Sequence, residues 1–100
     1  MFIKIHKSYR DVVAICDNEL LGKVFEESNN KAILEIKESF YKGDEVNEEK
    51  ALEIIDFHSK EDATFNIVGK NSISLALKSG IISKDGIKKV KGIPFTLVLR

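Results

Sequence analysis

The sequence predicts an α+β domain in which two helices pack on a mixed or antiparallel sheet of five to six strands. Three observations predict it. Short apolar runs that alternate with polar residues recur along the chain, which is the period-two signature of strands. Two other stretches, one opened by Asn47 and one closed by Gly80, space their apolar residues as helices do. The length of 100 residues, with 43% hydrophobic and 32% charged content, suffices for one core and not two. Residues 1–100 are therefore expected to form a single domain.

The elements follow in order. Over 2–7, Ile3 and Ile5 alternate with Lys4 and His6, a half-exposed strand. After a turn at Ser8-Tyr9-Arg10-Asp11, residues 12–16 are apolar on both faces and read as a central strand covered on both sides. Asp17-Asn18 ends it. Between Glu19 and Asn30, Gly22 interrupts a weak helical pattern, so an irregular loop or single turn is expected. Residues 32–41 alternate again, with Leu34, Ile36 and Phe40 on one side, and read as a strand. Lys42-Gly43-Asp44 turns the chain. Asn47 then caps a helix whose first turn holds Glu48 and Glu49, where the dipole favours acids. Val46 staples onto Ala51, Ala51, Leu52 and Ile55 form the inner face, and the helix ends near His58–Lys60. A strand over 64–68 stops at Gly69. The second helix runs from Lys70 or Asn71 to Ser79, with Gly80 as its C′ residue, and Ile81-Ile82 returns to the core. Strands over 87–91 and 95–99 complete the chain.

The net charge of zero conceals a segregation. Residues 17–62 hold fourteen acidic against six basic residues, whereas residues 69–100 hold six Lys and one Arg against Asp85. A small domain so divided is expected to present one face to something anionic, or to pair with another copy. The single cysteine, Cys16, excludes an internal disulfide and four-cysteine zinc sites and fits a reducing cytoplasm. No apolar run reaches membrane-spanning length, and the start MFIKIHKSYRD does not read as a signal peptide. A cytoplasmic protein without a membrane partner is expected.

The sharpest local candidate is Asn66-Ile67-Val68-Gly69-Lys70-Asn71-Ser72. A strand stops at glycine and a helix begins, so free backbone N–H groups meet the positive end of a helix dipole, with Lys70 and Ser72 as added donors. The spacing is not that of a Walker A loop. It resembles the Gly-x-x-Gly loop of KH domains only faintly, since Ser72 stands at the fourth position and a strand precedes it. The plainer reading is capping by Asn71, with Gly69 relieving a tight turn. Lys88, Lys89 and Lys91, with Lys84, Lys78 and Arg100, make up the rest of the basic third; the plainer reading there is a lysine-rich edge that blunts strand pairing. Arg10 is one of two arginines in a lysine-rich chain and suits a carboxylate or phosphate partner, an acid such as Asp11 or Asp17 included. Cys16, His6 and His58 lack ligand spacing, so neither a metal nor a cofactor is expected. Cys16 reads as a small buried hydrophobe and His58 as a favourable positive helix end. No carboxylate pair stands out for acid–base work.

The segments Tyr9-Arg10-Asp11-Val12-Val13, Cys16-Asp17, Leu21-Gly22-Lys23, Phe40-Tyr41, Asn66-Ile67-Val68-Gly69 and Gly92-Ile93-Pro94 resemble a small archaeal family known as domain of unknown function 424. In that family a His often follows the proline; here it is Phe95, which argues against metal or catalytic chemistry at that spot. The family has no established activity. An RNA-binding label is sometimes attached to it, and the resemblance implies no more than that. Among the matching positions, Leu21-Gly22-Lys23 and Val68-Gly69-Lys70 each place a lysine directly after a glycine. If the two turns meet in space they form one cationic niche, lined by Arg10, Lys23, Lys70 and Asn66.

The first functional reading is a non-enzymatic module that binds RNA or a ribonucleoprotein through the basic third and the Gly69 turn. The second is a protein-interaction domain, homo- or hetero-oligomeric, in which Glu48, Glu49, Glu53 and Asp56 face the basic third of another chain. The third is a small-anion binder or enzyme at the Gly69 turn.

Overall fold

The computed structural model describes residues 1–99; Arg100, counted above in the basic third, lies outside them. In chain order the elements are β1 (Phe2–His6), β2 (Val12–Cys16), a 3₁₀ turn (Asn18–Leu20), β3 (Val24–Glu26), β4 (Ile33–Glu35), α1 (Glu38–Tyr41), β5 (Asp44–Glu45), α2 (Glu48–Lys60), β6 (Thr64–Val68), α3 (Lys70–Ser79), a second 3₁₀ turn (Lys84–Gly86), β7 (Lys88–Val90) and β8 (Ile93–Val98). Six strands form one mixed sheet in the order β5-β1-β2-β6-β8-β7, and β3-β4 is a separate hairpin. Every neighbouring pair of the large sheet is antiparallel except β2 and β6, which run parallel. A parallel pair needs a long crossover, and here the chain between Cys16 and Thr64 supplies it. The sequence-predicted α+β class, with two principal helices on a mixed sheet, is the observed one.

The alternation of each strand decides which layer it faces. Ile3, Val13, Ile15, Phe65 and Ile67 point to one side, where Ala51 and Ile55 of α2 and Ile73, Leu75 and Ala76 of α3 close over them. Phe65 is fully buried, and burying such a ring contributes roughly 2–3 kcal/mol. Ala14, Cys16 and Val68 point to the other side, under Leu20, Ile36 and Tyr41 of the crossover's first half, with Phe2 and Phe95 alongside. Covered on both faces, β2 is apolar throughout, as its sequence requires. The α2 cap is also as predicted: Lys50 N–H donates to Asn47 Oδ1 at 2.8 Å, and Val46 packs against the cluster that holds Ala51. Gly80 closes α3 in the left-handed conformation.

Three expectations require correction. The strand expected over 32–41 is only β4, followed by the single turn of α1. The chain tightens because Phe40 and Tyr41 both donate their N–H to Lys37 O (3.1 and 3.0 Å). This turns both rings back onto the sheet: Phe40 stacks on His6 with centroids 4.6 Å apart, and Tyr41 is buried. A half-buried ring stack and a buried tyrosine outweigh a local alternation that tertiary context readily overrides. The loop expected over 19–30 contains β3, which pairs with β4 so that Phe25 and Leu34 share the inner face. Finally, β7 is shorter than the 87–91 expected, because Lys91 adopts φ 53° in the turn to β8.

Gly43 sits where β5 meets β1, and a Cβ there would lie 2.1 Å from the Ile3 carbonyl oxygen. Nothing flexible can yield, since the obstacle is backbone. Gly43→Ala is expected to push β5 off β1 and lower stability by about 2 kcal/mol, read as a reduced urea midpoint.

Candidate functional site

The two parallel strands end side by side, with Cys16 opposite Val68. From there the chain diverges. The segment after β2 covers one sheet face with Leu20 and Ile36, and α3, directly after β6, covers the other with Ile73 and Leu75. Such a divergence opens a crevice outside the carboxyl ends of the strands, the place where open α/β sheets bind ligands. The crevice is present. A cleft of about 330 Å³ is lined by Asp17, Glu19, Leu20, Lys70, Asn71 and Ile93, and beside it a hollow of about 150 Å³ is lined by Met1, Asp17, Asn18, Glu19 and Asn71.

Asp17 forms the floor between them. It is 3% exposed; Asn71 N–H donates to its Oδ2 at 3.0 Å, and Ser72 N–H and Ser72 Oγ–H donate to its Oδ1 at 2.8 and 2.7 Å. The helix is thus capped by a carboxylate from a distant loop, and not by Asn71 as the plainer sequence reading had it. A charge this buried is tolerated because it meets full hydrogen bonding and the positive helix end. Gly69 is the local requirement. It holds φ 108°, and a Cβ would fall 2.4 Å from Asp17 Cγ. Its N–H donates to Pro94 O at 2.9 Å.

The donors that the sequence offered to an anion are therefore engaged inside the molecule, and Ser72 is fully buried. Lys70 remains exposed at the rim. Lys23 emerges from the same end: its N–H donates to Leu20 O and its carbonyl accepts from Ile36 N–H (3.0 and 2.9 Å), and Leu20 lines the cleft with Lys70. The two glycine–lysine turns thus leave the same end of the sheet. Strand register brings the third group there too. Cys16, Val68, Phe95 and Lys88 form one row across β2, β6, β8 and β7, so Lys88, Lys89 and Lys91 sit at or beyond the level where the parallel strands end. Lys88 shares the face of Phe95, while Lys89 pairs with Pro94 and points the other way. Asn66 lies on β6 between Ala14 and Leu97, on the same face as Val68 and farther from the strand ends. Arg10 does not join the niche. It sits in the turn before β2, at the opposite end of that strand, roughly 20 Å from Asp17 at strand rise.

Five ion pairs occur among the described residues: Lys7–Asp11, Lys37–Glu35, Lys50–Glu53, Lys60–Asp56 and Lys78–Glu48. None of them uses Lys23, Lys70, Lys88, Lys89 or Lys91. Of these lysines Lys70 lines the cleft, while on α2 Glu48, Glu53 and Asp56 are paired with Lys78, Lys50 and Lys60. Glu19 was not singled out from the sequence, and Asp17 and Asn71 were read there in other roles, Asp17 as a strand end or Arg10 partner and Asn71 as the helix cap. The available signal was an acid placed directly after a strand buried on both faces.

The side chains that catalysis most often uses are quiet. Burial pushes the Cys16 thiol up to about 11 and the Tyr41 hydroxyl up to about 12, so neither ionises near neutrality. No group of three or more His, Cys, Asp or Glu among the described residues could hold a metal ion, and no helix among them is long and apolar enough to cross a membrane.

A family model described as "Protein of unknown function (DUF424)" matches residues 6–100. The chain belongs to this family. The fold agrees: a crystal structure of an uncharacterized conserved protein from Methanopyrus kandleri is similar to this DUF424 chain with a TM-score of 0.83 and 25% identity, over 99% of this chain and 92% of that one. No curated protein matches. The family resemblance read from the sequence is correct, and neither description carries the RNA-binding label.

One buried titratable group of the DUF424 chain lies away from the cleft. His58 is 7% exposed, its Nδ1 has no hydrogen-bond partner, and its ring meets Phe57 edge-on at 5.1 Å. Desolvation, reinforced by the Lys7 charge and opposed by Asp11 and Glu61, holds its pKa below the ordinary imidazole value. The expected positive helix end is thus a residue biased toward neutrality.

Two predictions follow from these geometries. Asp17→Ala strands three donors, two of them in the interior, and is expected to cost about 3 kcal/mol in chemical denaturation. For His58, the unfolded state binds the proton more readily, so its stabilising contribution is complete above the unfolded pKa of about 6.5. It is lost as pH falls from there through the lower folded value. Melting curves between pH 7.5 and 5 (roughly the imidazole range) should show a decline that His58→Gln reduces.

Proposed function

We propose that this DUF424 protein is a non-catalytic module that binds RNA, alone or within a ribonucleoprotein, through the lysine-bearing end of its sheet. The observation that supports the reading is that Lys23, Lys70, Lys88, Lys89 and Lys91, none ion-paired among the described residues, are carried by segments at one end of the sheet, with Lys70 on the rim of an open crevice there. Unpaired ammonium groups of one sign along an edge are the electrostatic footprint of a polyanion site. The neutral net charge limits long-range attraction, which favours a site of modest affinity that depends on short-range contacts. The single buried thiol fits a reducing cytoplasm.

The rival readings have less support. Pairing of the acidic α2 face with the basic end of another copy is weakened because Glu48, Glu53 and Asp56 are already paired with Lys78, Lys50 and Lys60. A small-anion site on the α3 N-terminus is weakened because Asp17 occupies its donors.

The test is fluorescence anisotropy with a labelled single-stranded RNA and a transfer RNA. If each of these lysines neutralises one phosphate, the slope of log K against log salt is about −3.5, a loss of about 100-fold between 50 and 200 mM. Lys70→Glu with Lys89→Glu should weaken binding at least tenfold (about 1.4 kcal/mol) without lowering the melting temperature. No binding at the lower salt overturns the reading, and binding indifferent to both substitutions removes it from this end of the sheet.

A further inference from the structure

The lysines account for a polyanion but leave the cleft beside Lys70 unexplained. At about 330 Å³ it lies at the small end of ligand sites, which span roughly 300–1,000 Å³. Its walls are of three kinds. Half-buried Ile93 and the small exposed edge of Leu20 provide apolar surface, Lys70 a cation, and Glu19 and Asn71 a carboxylate and a side-chain amide, both on exposed residues. Asp17, at the floor, spends its charge on three internal donors. The accessible charge of the cleft is therefore one cation and one anion. That balance disfavours a di- or triphosphate, and it equally disfavours a simple anion, which Glu19 would repel.

Resting on the RNA reading above, we propose that the cleft receives the 3′-terminal nucleotide of an RNA, with Lys70 on its single 5′-side phosphate, the half-buried Ile93 against the base, and Glu19 accepting from the free 2′,3′-cis-diol. The chemistry selects this unit over others. A carboxylate is an acceptor with two oxygens and needs donors; a cis-diol supplies two, and in an RNA strand both hydroxyls are free only at the 3′ end. An acid placed after a strand binds ribose hydroxyls in doubly wound dinucleotide folds, a chemistry that carries over by analogy, and the 2′-OH is what separates RNA from DNA. Asn71, whose backbone N–H is held by Asp17, carries a side-chain amide suited to a base edge of mixed donors and acceptors. The flanking Lys23, Lys88, Lys89 and Lys91 would track the preceding phosphates. No covalent step is involved.

The end of the RNA can be altered without touching the protein, which separates this proposal from its parent. Anisotropy is measured with one oligoribonucleotide carrying a 3′-terminal diol, a terminal 2′-deoxyribose, or a 3′-phosphate, against wild type and Glu19→Gln. Losing charge-assisted hydrogen bonds to the diol should weaken wild-type binding about tenfold for both altered ends, and Glu19→Gln should bind the diol end as weakly as the deoxy end. A parallel titration with adenosine 5′-monophosphate, followed through the backbone amide resonances of Leu20, Asn71 and Ile93, should shift those signals in wild type. If RNA binds with the salt dependence given above but equally for all three ends, the cleft proposal is overturned and the RNA reading stands. If no RNA binds while the mononucleotide shifts the cleft resonances, the RNA reading fails and the 3′-end assignment fails with it. If neither binds, both fall.

Discussion

One buried carboxylate holds the two halves of the sheet's working end together. Asp17 ends the central strand β2, and its oxygens take the first free donors of α3, which begins more than fifty residues later. Three hydrogen bonds to a single ionised group compensate its removal from water, and the helix dipole adds to the balance. The consequences spread outward. Gly69 must lack a side chain because the carboxylate occupies the space where one would go. Helix α3 is pinned at its start, so its apolar face registers on Phe65 and Ile67. The same contact ties together the two walls of the cleft, the 3₁₀ turn that ends at Leu20 and the start of α3 at Lys70.

Around that contact the charge of the chain is arranged asymmetrically. In the acidic middle segment, Glu53 and Asp56 pair with lysines of their own helix and Glu48 with Lys78 of the neighbouring one, so part of the acidic α2 face is already engaged. In the basic third only Lys78 is compensated within the described ion pairs, and β7 and its turn carry Lys88, Lys89 and Lys91 to the edge of the sheet. A neutral molecule can in this way present a local positive field. The lysines also protect the exposed strand edge from pairing with other chains. That second role needs no ligand, and it explains why lysine is tolerated on a strand only three residues long.

Much of the fold was legible in the residues. The central strand followed from five consecutive apolar positions, 12–16, and the α2 start from Asn47 and its acidic first turn. The end of α3 followed from Gly80. Each signal is local: side-chain alternation, a cap, a left-handed glycine. The failures were also of one kind. Residues 32–41 alternate well enough for a strand, and only the availability of His6 and the core beneath β1 explains why Phe40 and Tyr41 fold back as a helical turn. The site was half legible. The lysines after Gly22 and Gly69 were visible as a pair, but Arg10, grouped with them by residue type, lies at the other end of β2.

By itself the sequence determined the class of fold, the positions of the principal helices and central strands, and the uneven distribution of charge, because period, capping and composition act over a few residues at a time. Tertiary structure alone decided that Arg10 lies at the other end of β2 from Lys70, that Asp17 and not Asn71 caps α3, and that Glu19, Lys70 and Ile93 face one cleft. Those outcomes depend on which strands lie side by side and in what register. Pairing across dozens of residues is set by the burial of the whole sheet, and no short stretch of chain encodes it.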